Sequence, residues 1–168
     1  MRVRSEVVGS QDMGKPIDLQ ATGLHEYLSD EAATVCFGGR LGALLEARYR
    51  GRAVVFLHGQ LGAGKTTLVR GLLAGYGHRG VVKSPTYTLL EPYNMAAAEV
   101  FHFDLYRVND PQELEFIGFD EIIDGPGLKL FEWPEKAVDW LPDPDVEVSL
   151  QVVTDTQPVS REVSVVFR

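Results

Sequence analysis

The chain has 168 residues, 45% of them hydrophobic and 24% charged, and a formal net charge of -8. Such a length suits one domain with a single core. No run approaches the roughly 18 apolar residues of a membrane span, the acidic balance argues against a protein that grips DNA or RNA by its phosphates, and one cysteine, Cys36, excludes an intrachain disulfide.

Residues 1–22 are polar, lack periodicity and contain no apolar stretch of the signal-peptide kind. They read as a flexible N-terminal extension to a domain over 23–168. With the lone cysteine, they agree with a reducing, cytoplasmic setting. "SDEAATVCFGGRLGALLEARY" predicts a helix that starts at Ser29-Asp30-Glu31 and carries Phe37, Leu41, Leu44 and Leu45 on one face. Gly38 and Gly39 weaken its middle. "AVVFL", 53–57, is continuously apolar and reads as a central strand buried on both faces. A glycine-rich turn and a helix, "GKTTLVRGLLAGYG", follow, closed by Gly75 and Gly77. "PTYTLLEPY" and "EVFHFDLYR" predict an antiparallel hairpin. "DPQELEFIG" predicts a short helix with Asp110 as N-cap, Pro111 at N1 and Glu113 at N3. In "ELEFIGFDE", Leu114, Phe116, Ile117 and Phe119 suit an amphipathic core helix, a partner-docking surface being the other reading. "GLKLFEW" reads as a strand, and "VEVSLQVV" with "REVSVVF" as a terminal hairpin that covers the core with one face.

"GQLGAGKT", Gly59–Thr66, satisfies G-x-x-x-x-G-K-[ST] in full, after a strand and before a helix. Glycines let backbone N–H groups ring a phosphate, and the helix start adds partial positive charge. Lys65 reaches terminal phosphates, the Thr66 hydroxyl suits Mg²⁺, and Thr67 can donate to a phosphate nearer the sugar. A GTPase would carry an Asn-Lys-x-Asp base-reading motif, and none is present. "IIDGPG" mimics a switch motif but reads as a turn, so ATP is the better nucleotide. A small-molecule kinase is the competing class, although no segment reads as an arginine-bearing helical lid. Glu132 ends the strand "LKLFE". On spacing alone a metal-side carboxylate is even with the plainer readings, a solvated strand end or an N-cap for the "PEKAVDWL" turn. Asp104 could similarly cap "LYRVND", and His102 reads as a packed or hydrogen-bonded strand residue. The four histidines and Cys36 lack zinc spacing.

"GQLGAGKTTLVRG", "VKSPTYTLLEPY", "FHFDLYR", "ELEFIGFDE" and "LFEWPEK", in this order and at this spacing, closely resemble the TsaE (YjeE) family, bacterial ATPases of tRNA threonylcarbamoyladenosine (t6A) biosynthesis. The resemblance covers about residues 30–150. It implies an α/β fold: a single P-loop NTPase-like domain whose mixed sheet has parallel core strands, antiparallel hairpins and flanking helices. It also implies weak ATP hydrolysis by the protein alone, and action on the TsaD–TsaB complex, with tRNA reached only through those partners. By position it assigns Gly62, Ala63, Gly64, Lys65, Thr66 and Thr67 to the phosphates and the pair Thr66 and Glu132 to Mg²⁺. Asp104 would act on the attacking water or on the metal shell. Ser84, Pro85 and Thr86 would form a switch-like loop near the γ-phosphate, and Trp133 would lie beside the nucleotide. Glu31 and Thr34 match the region that flanks the base, and Arg161 a late arginine near the nucleotide.

Overall fold

The structure is a computed structural model that describes residues 15–168 apart from Ala97 and Thr156. In chain order its elements are β1 (Gly23–Leu28), α1 (Glu31–Tyr49), β2 (Ala53–His58), α2 (Lys65–Gly75), β3 (Leu90–Asn94), β4 (Glu99–Asp104), α3 (Phe119–Asp124), β5 (Leu128–Glu132), β6 (Val146–Val153) and β7 (Ser160–Phe167). Short 3₁₀ segments run over Pro111–Ile117 and Pro134–Lys136. All seven strands join one sheet in the order β1-β7-β6-β2-β5-β4-β3. The central strands β6, β2, β5 and β4 are parallel, while β3, β7 and β1 are antiparallel to their neighbours. The expected α/β architecture is therefore present, with both antiparallel hairpins. Among the described residues no helix is long and apolar enough to cross a membrane.

Strand alternation divides the core into two layers. Val55 and Leu57 of β2, Val100 of β4, Leu128 and Leu130 of β5, and Val146, Val148 and Leu150 of β6 pack under α1 and α2. Phe56, Phe103 and Phe131 point to the other face and meet Leu114 and Phe119. Phe103 and Phe131 stack at 4.5 Å between ring centroids, and Phe56 meets Phe131 edge-on. The same alternation aims His102 and Asp104 with Val100, and Glu132 with Leu128 and Leu130, at the face that α2 covers. Asp104 and Glu132 are register partners on adjacent parallel strands.

The glycines in α1 have a packing reason. A Cβ on Gly38 would lie 2.3 Å from the Leu68 carbonyl, and one on Gly71 would lie 2.1 Å from the Val35 carbonyl. The two helices therefore touch backbone to backbone, and the entropic cost of mid-helix glycine is offset by close approach. Gly71→Ala is expected to destabilise the fold by about 1–3 kcal/mol through overpacking. Urea unfolding checks this, with a lower midpoint and an unchanged slope.

Several elements depart from expectation. Strand β1 was not anticipated: only Leu28 of its six residues is buried, so an edge strand on β7 leaves little apolar alternation. Residues 1–14 of the expected extension lie outside the described residues. Residues 15–22 run beside α1, where Arg40 and Arg48 donate to the carbonyls of Lys15 and Ala21 and Ile17 packs on the core. The strand expected from Pro85 begins only at Leu90. Residues 85–89 form a turn closed by the Leu89 N–H on the Pro85 carbonyl (2.7 Å), with Leu89 in the left-handed region. The β-propensity of Thr86, Tyr87 and Thr88 loses to tertiary contacts there. Asp110 caps its helix through the expected box with Glu113, but the turn is 3₁₀. Phe116 projects outward at 89% exposure instead of joining the core. "IID" of the switch-like hexapeptide closes α3, and only Gly125, Pro126 and Gly127 beyond it bend.

Candidate active site

The site lies at the C-terminal ends of β2, β5 and β4, where a doubly wound sheet gathers ligands. A cleft of about 270 Å³ is lined along the glycine loop and by Ser84, Thr86, Asp104, Tyr106, Glu132, Trp133 and Arg161. Gly59, Gly62 and Gly64 all have positive φ (145°, 80° and 104°), which glycine adopts without a Cβ penalty. Gly64 is also the N-cap of α2 and supplies no side chain, so the first-turn N–H groups of that helix stay available to an anion.

Lys65 folds back over its own loop. Its Nζ donates to the carbonyls of Gly59 (2.6 Å) and Gln60 (3.2 Å) and stands 4.1 Å from the Trp133 ring centroid. Burial pushes the ammonium pKa down, opposed by the carboxylates of Glu132, Asp104 and Glu135. Trp133 itself has φ 59° and ψ 49°, a strained choice for a tryptophan. That turn bends the chain off β5 and lays the indole over Lys65 and against Tyr106, 4.9 Å between rings.

Two carboxylates face this cation from neighbouring strands. Glu132 accepts from the Thr66 hydroxyl at 2.9 Å, and His102 Nε2 lies 2.9 Å from the same oxygen, Oε1. The carboxylate is buried, which speaks against a solvated strand end, and among the described residues no backbone N–H of the following turn reaches it. Asp104 accepts from Ser84 and from Thr86 (2.7 Å) at Oδ2 and from the Tyr106 N–H (3.0 Å) at Oδ1. Ser84 and Thr86 lie 2.9 Å apart, so the expected switch-like loop is tied to Asp104 through both hydroxyls. The Thr66 hydroxyl and the Glu132 and Asp104 carboxylates offer oxygen donors alone, which fits the preference of Mg²⁺ for hard ligands.

Most of the expected site residues thus converge: Gly62, Ala63, Gly64, Lys65, Thr66, Thr67, Ser84, Thr86, Asp104, Glu132, Trp133 and Arg161 all line the cleft. Arg161 Nε donates to the Ala63 carbonyl at 2.8 Å, which clamps β7 to the loop. Glu31 and Thr34 do not reach the cleft. Glu31 pairs with Arg70 on the surface, and hydrogen bonding to that guanidinium holds its carboxyl below the usual range. Thr34 is buried, with its hydroxyl on the Asp30 carbonyl (3.0 Å). Tyr106 and Leu61 join the lining without having been anticipated. Tyr106 stood two residues past Asp104 within "HFDLYR", the one sequence signal that pointed to it.

Comparison with known proteins places this geometry in context. A family model described as "Threonylcarbamoyl adenosine biosynthesis protein TsaE" matches residues 28–163. The chain is 44% identical over 137 residues to the tRNA threonylcarbamoyladenosine biosynthesis protein TsaE of Haemophilus influenzae, a match that covers 81% of this chain and 87% of that one. With the protein of the same name from Bacillus subtilis it shares 36% identity over 104 residues, 62% of this chain and 65% of that one. Its fold resembles the crystal structure of Bacillus subtilis YdiB, with a TM-score of 0.68, 25% identity and coverage of 87% and 86% of the two chains.

Proposed function

The chain belongs to the TsaE family, and from that premise we propose that it binds and hydrolyses ATP with Mg²⁺ in this cleft, as an accessory of t6A formation that acts on the TsaD–TsaB complex. One observation carries the chemistry: the Thr66 hydroxyl and the buried Glu132 carboxylate meet at 2.9 Å beside a Lys65-bearing glycine loop. Mg²⁺ would neutralise developing charge on the phosphates. The loop N–H groups and Lys65 bind and orient those phosphates. Thr66 and Glu132 would hold the cation, Glu132 supplying the charge. Asp104 has about four acceptor positions, three of them taken by Ser84, Thr86 and Tyr106. The remaining position, on Oδ1, accepts a proton from the attacking water. Trp133 and Tyr106 exclude bulk water from one wall. Weak hydrolysis by the protein alone fits an Asp104 tied into the switch-like loop, with partner contact freeing it. The net charge of -8 supports action through protein partners over direct contact with tRNA.

The test is repeated rounds of t6A formation with TsaD, TsaB, tRNA and ATP. Wild type is expected to sustain many rounds, whereas Lys65→Ala and Glu132→Ala stall after about one. Unchanged multi-round formation by both variants would remove the cleft from the mechanism. Glu132→Gln keeps size but loses charge, so its nucleotide affinity should depend less on Mg²⁺. Identical Mg²⁺ titrations of the two proteins would take Glu132 out of the metal shell. Free phosphate as the product, with no phosphorylated metabolite, separates this reading from a small-molecule kinase.

A further inference from the structure

A buried carboxylate needs donors to fix its oxygens. Glu132, 3% exposed, has two, and both reach Oε1: the Thr66 hydroxyl and His102 Nε2, each at 2.9 Å. Neither of these contacts occupies Oε2. An ionised carboxylate only accepts, so Nε2 carries the hydrogen and donates it. His102 is 0% exposed and does not line the cleft, and its Nδ1 is buried with no hydrogen-bond partner among the described residues. With the hydrogen on Nε2, no imidazole N–H is left unpaired. The alternation of β4 and β5 creates this contact, since His102 stands opposite Leu130, two residues short of the Asp104–Glu132 pair and on the same face.

We propose that His102 is the positioning residue of the metal-side carboxylate. Its Nε2–H pins Oε1 of Glu132 and so aims Oε2 at the cation shared with Thr66. The inference rests on the reading of Thr66 and Glu132 as the Mg²⁺ pair. The two donors differ in what happens when the cation is held. The Thr66 oxygen would also ligate the cation through a lone pair, so its bond to Glu132 has to serve two demands. His102 lies on the core side and keeps its bond, which makes it the permanent anchor of the carboxylate. Donors in this outer layer set ligand orientation, and their loss typically weakens metal binding about 10- to 100-fold.

The experiment titrates Mg²⁺ against the full chain with a fluorescent, non-hydrolysable ATP analogue. His102→Phe keeps the ring and the burial but has no donor. It is expected to raise the Mg²⁺ midpoint about tenfold or more, without changing analogue affinity in the absence of Mg²⁺. His102→Gln restores an N–H near the Nε2 position and is expected to stay within about threefold of wild type. In a Glu132→Gln background, His102→Phe should add less than about twofold, because the partner charge is already gone. A wild-type midpoint for His102→Phe overturns the proposal, as does an equal shift for His102→Phe and His102→Gln. A wild type with no Mg²⁺ dependence removes the metal reading itself, which separates the two failures. Imidazole ¹⁵N NMR of the wild type decides the matter even if His102→Phe does not fold. A hydrogen on Nε2 whose signal moves in Glu132→Gln supports the contact, and a hydrogen on Nδ1 overturns it.

Discussion

Lys65→Ala is expected to lower ATP turnover by about a hundred- to thousandfold in phosphate-release assays with TsaD and TsaB present. The magnitude is that of losing one preorganised donor to developing negative charge, about 2.7–4 kcal/mol of barrier. Lys65 is already oriented by the carbonyls of Gly59 and Gln60, so little reorganisation precedes its contact with a phosphate. Burial magnifies its charge and at the same time pushes its pKa down. The variant should stay folded, because alanine removes a desolvated cation whose donors satisfy only two loop carbonyls. Its urea midpoint is expected to stay near that of wild type while turnover collapses, and that combination marks a functional lysine. Lys65→Arg should also fail, since the broader, planar guanidinium does not fit where a compact ammonium is cradled by the Gly59 and Gln60 carbonyls. Turnover within about threefold of wild type for Lys65→Ala would mean that the loop does not bind the transferred phosphate.

What the sequence made legible tracks how local the determining physics is. The loop could be read directly, because its glycines and Lys65 act within eight consecutive residues. The parallel core was legible for the same reason: β2 is almost uniformly apolar, and β5 is buried at all five positions. The surroundings of Glu132 were not, because spacing cannot show that Thr66 and His102 arrive at one of its oxygens from α2 and β4. The segment at Pro85–Leu89 misled for a related reason. Its threonines favour a strand, but Ser84 and Thr86 are held by Asp104, about twenty residues away along the chain. Gly38 looked like a defect in a helix until the Leu68 carbonyl appeared against it. Family resemblance, not locality, pointed to Asp104 and Arg161, and both line the cleft. Glu31 and Thr34, which it set beside the base, lie outside the cleft, with their polar groups held at the start of α1 and by Arg70.

Asp104→Asn is expected to reduce turnover by about a hundred- to ten-thousandfold, the range for loss of a positioned base, with ATP affinity within about threefold of wild type. The side chain keeps its volume, so the packing of β4 should survive. Its hydrogen bonding cannot stay the same. The aspartate accepts two hydroxyls at Oδ2 and the Tyr106 N–H at Oδ1. An asparagine has one acceptor oxygen and one donor group. If its oxygen keeps Ser84 and Thr86, its NH₂ opposes the Tyr106 N–H and offers the water nothing to accept its proton. If its oxygen keeps Tyr106, the two hydroxyls must rotate to accept, and the switch-like loop is loosened. Both orientations lose the base; the second holds the loop only through the NH₂ group, a weaker tether than the carboxylate. Single-turnover phosphate release measures the chemical step, and proteolysis near Pro85 reports the loop. The Mg²⁺ titration then assigns the role. If Asp104 acts on the water, Asp104→Asn leaves the Mg²⁺ midpoint at its wild-type value while single-turnover release falls. If it belongs to the metal shell, the midpoint rises in step with the rate loss. Ser84→Ala with Thr86→Ala completes the comparison, since it removes the two hydroxyl tethers and keeps the carboxylate. That pair is expected to match or exceed the wild-type single-turnover rate, because the proton acceptor remains and is no longer tied down. A loss as deep as that of Asp104→Asn would place the catalytic requirement in the loop's position and not in the base.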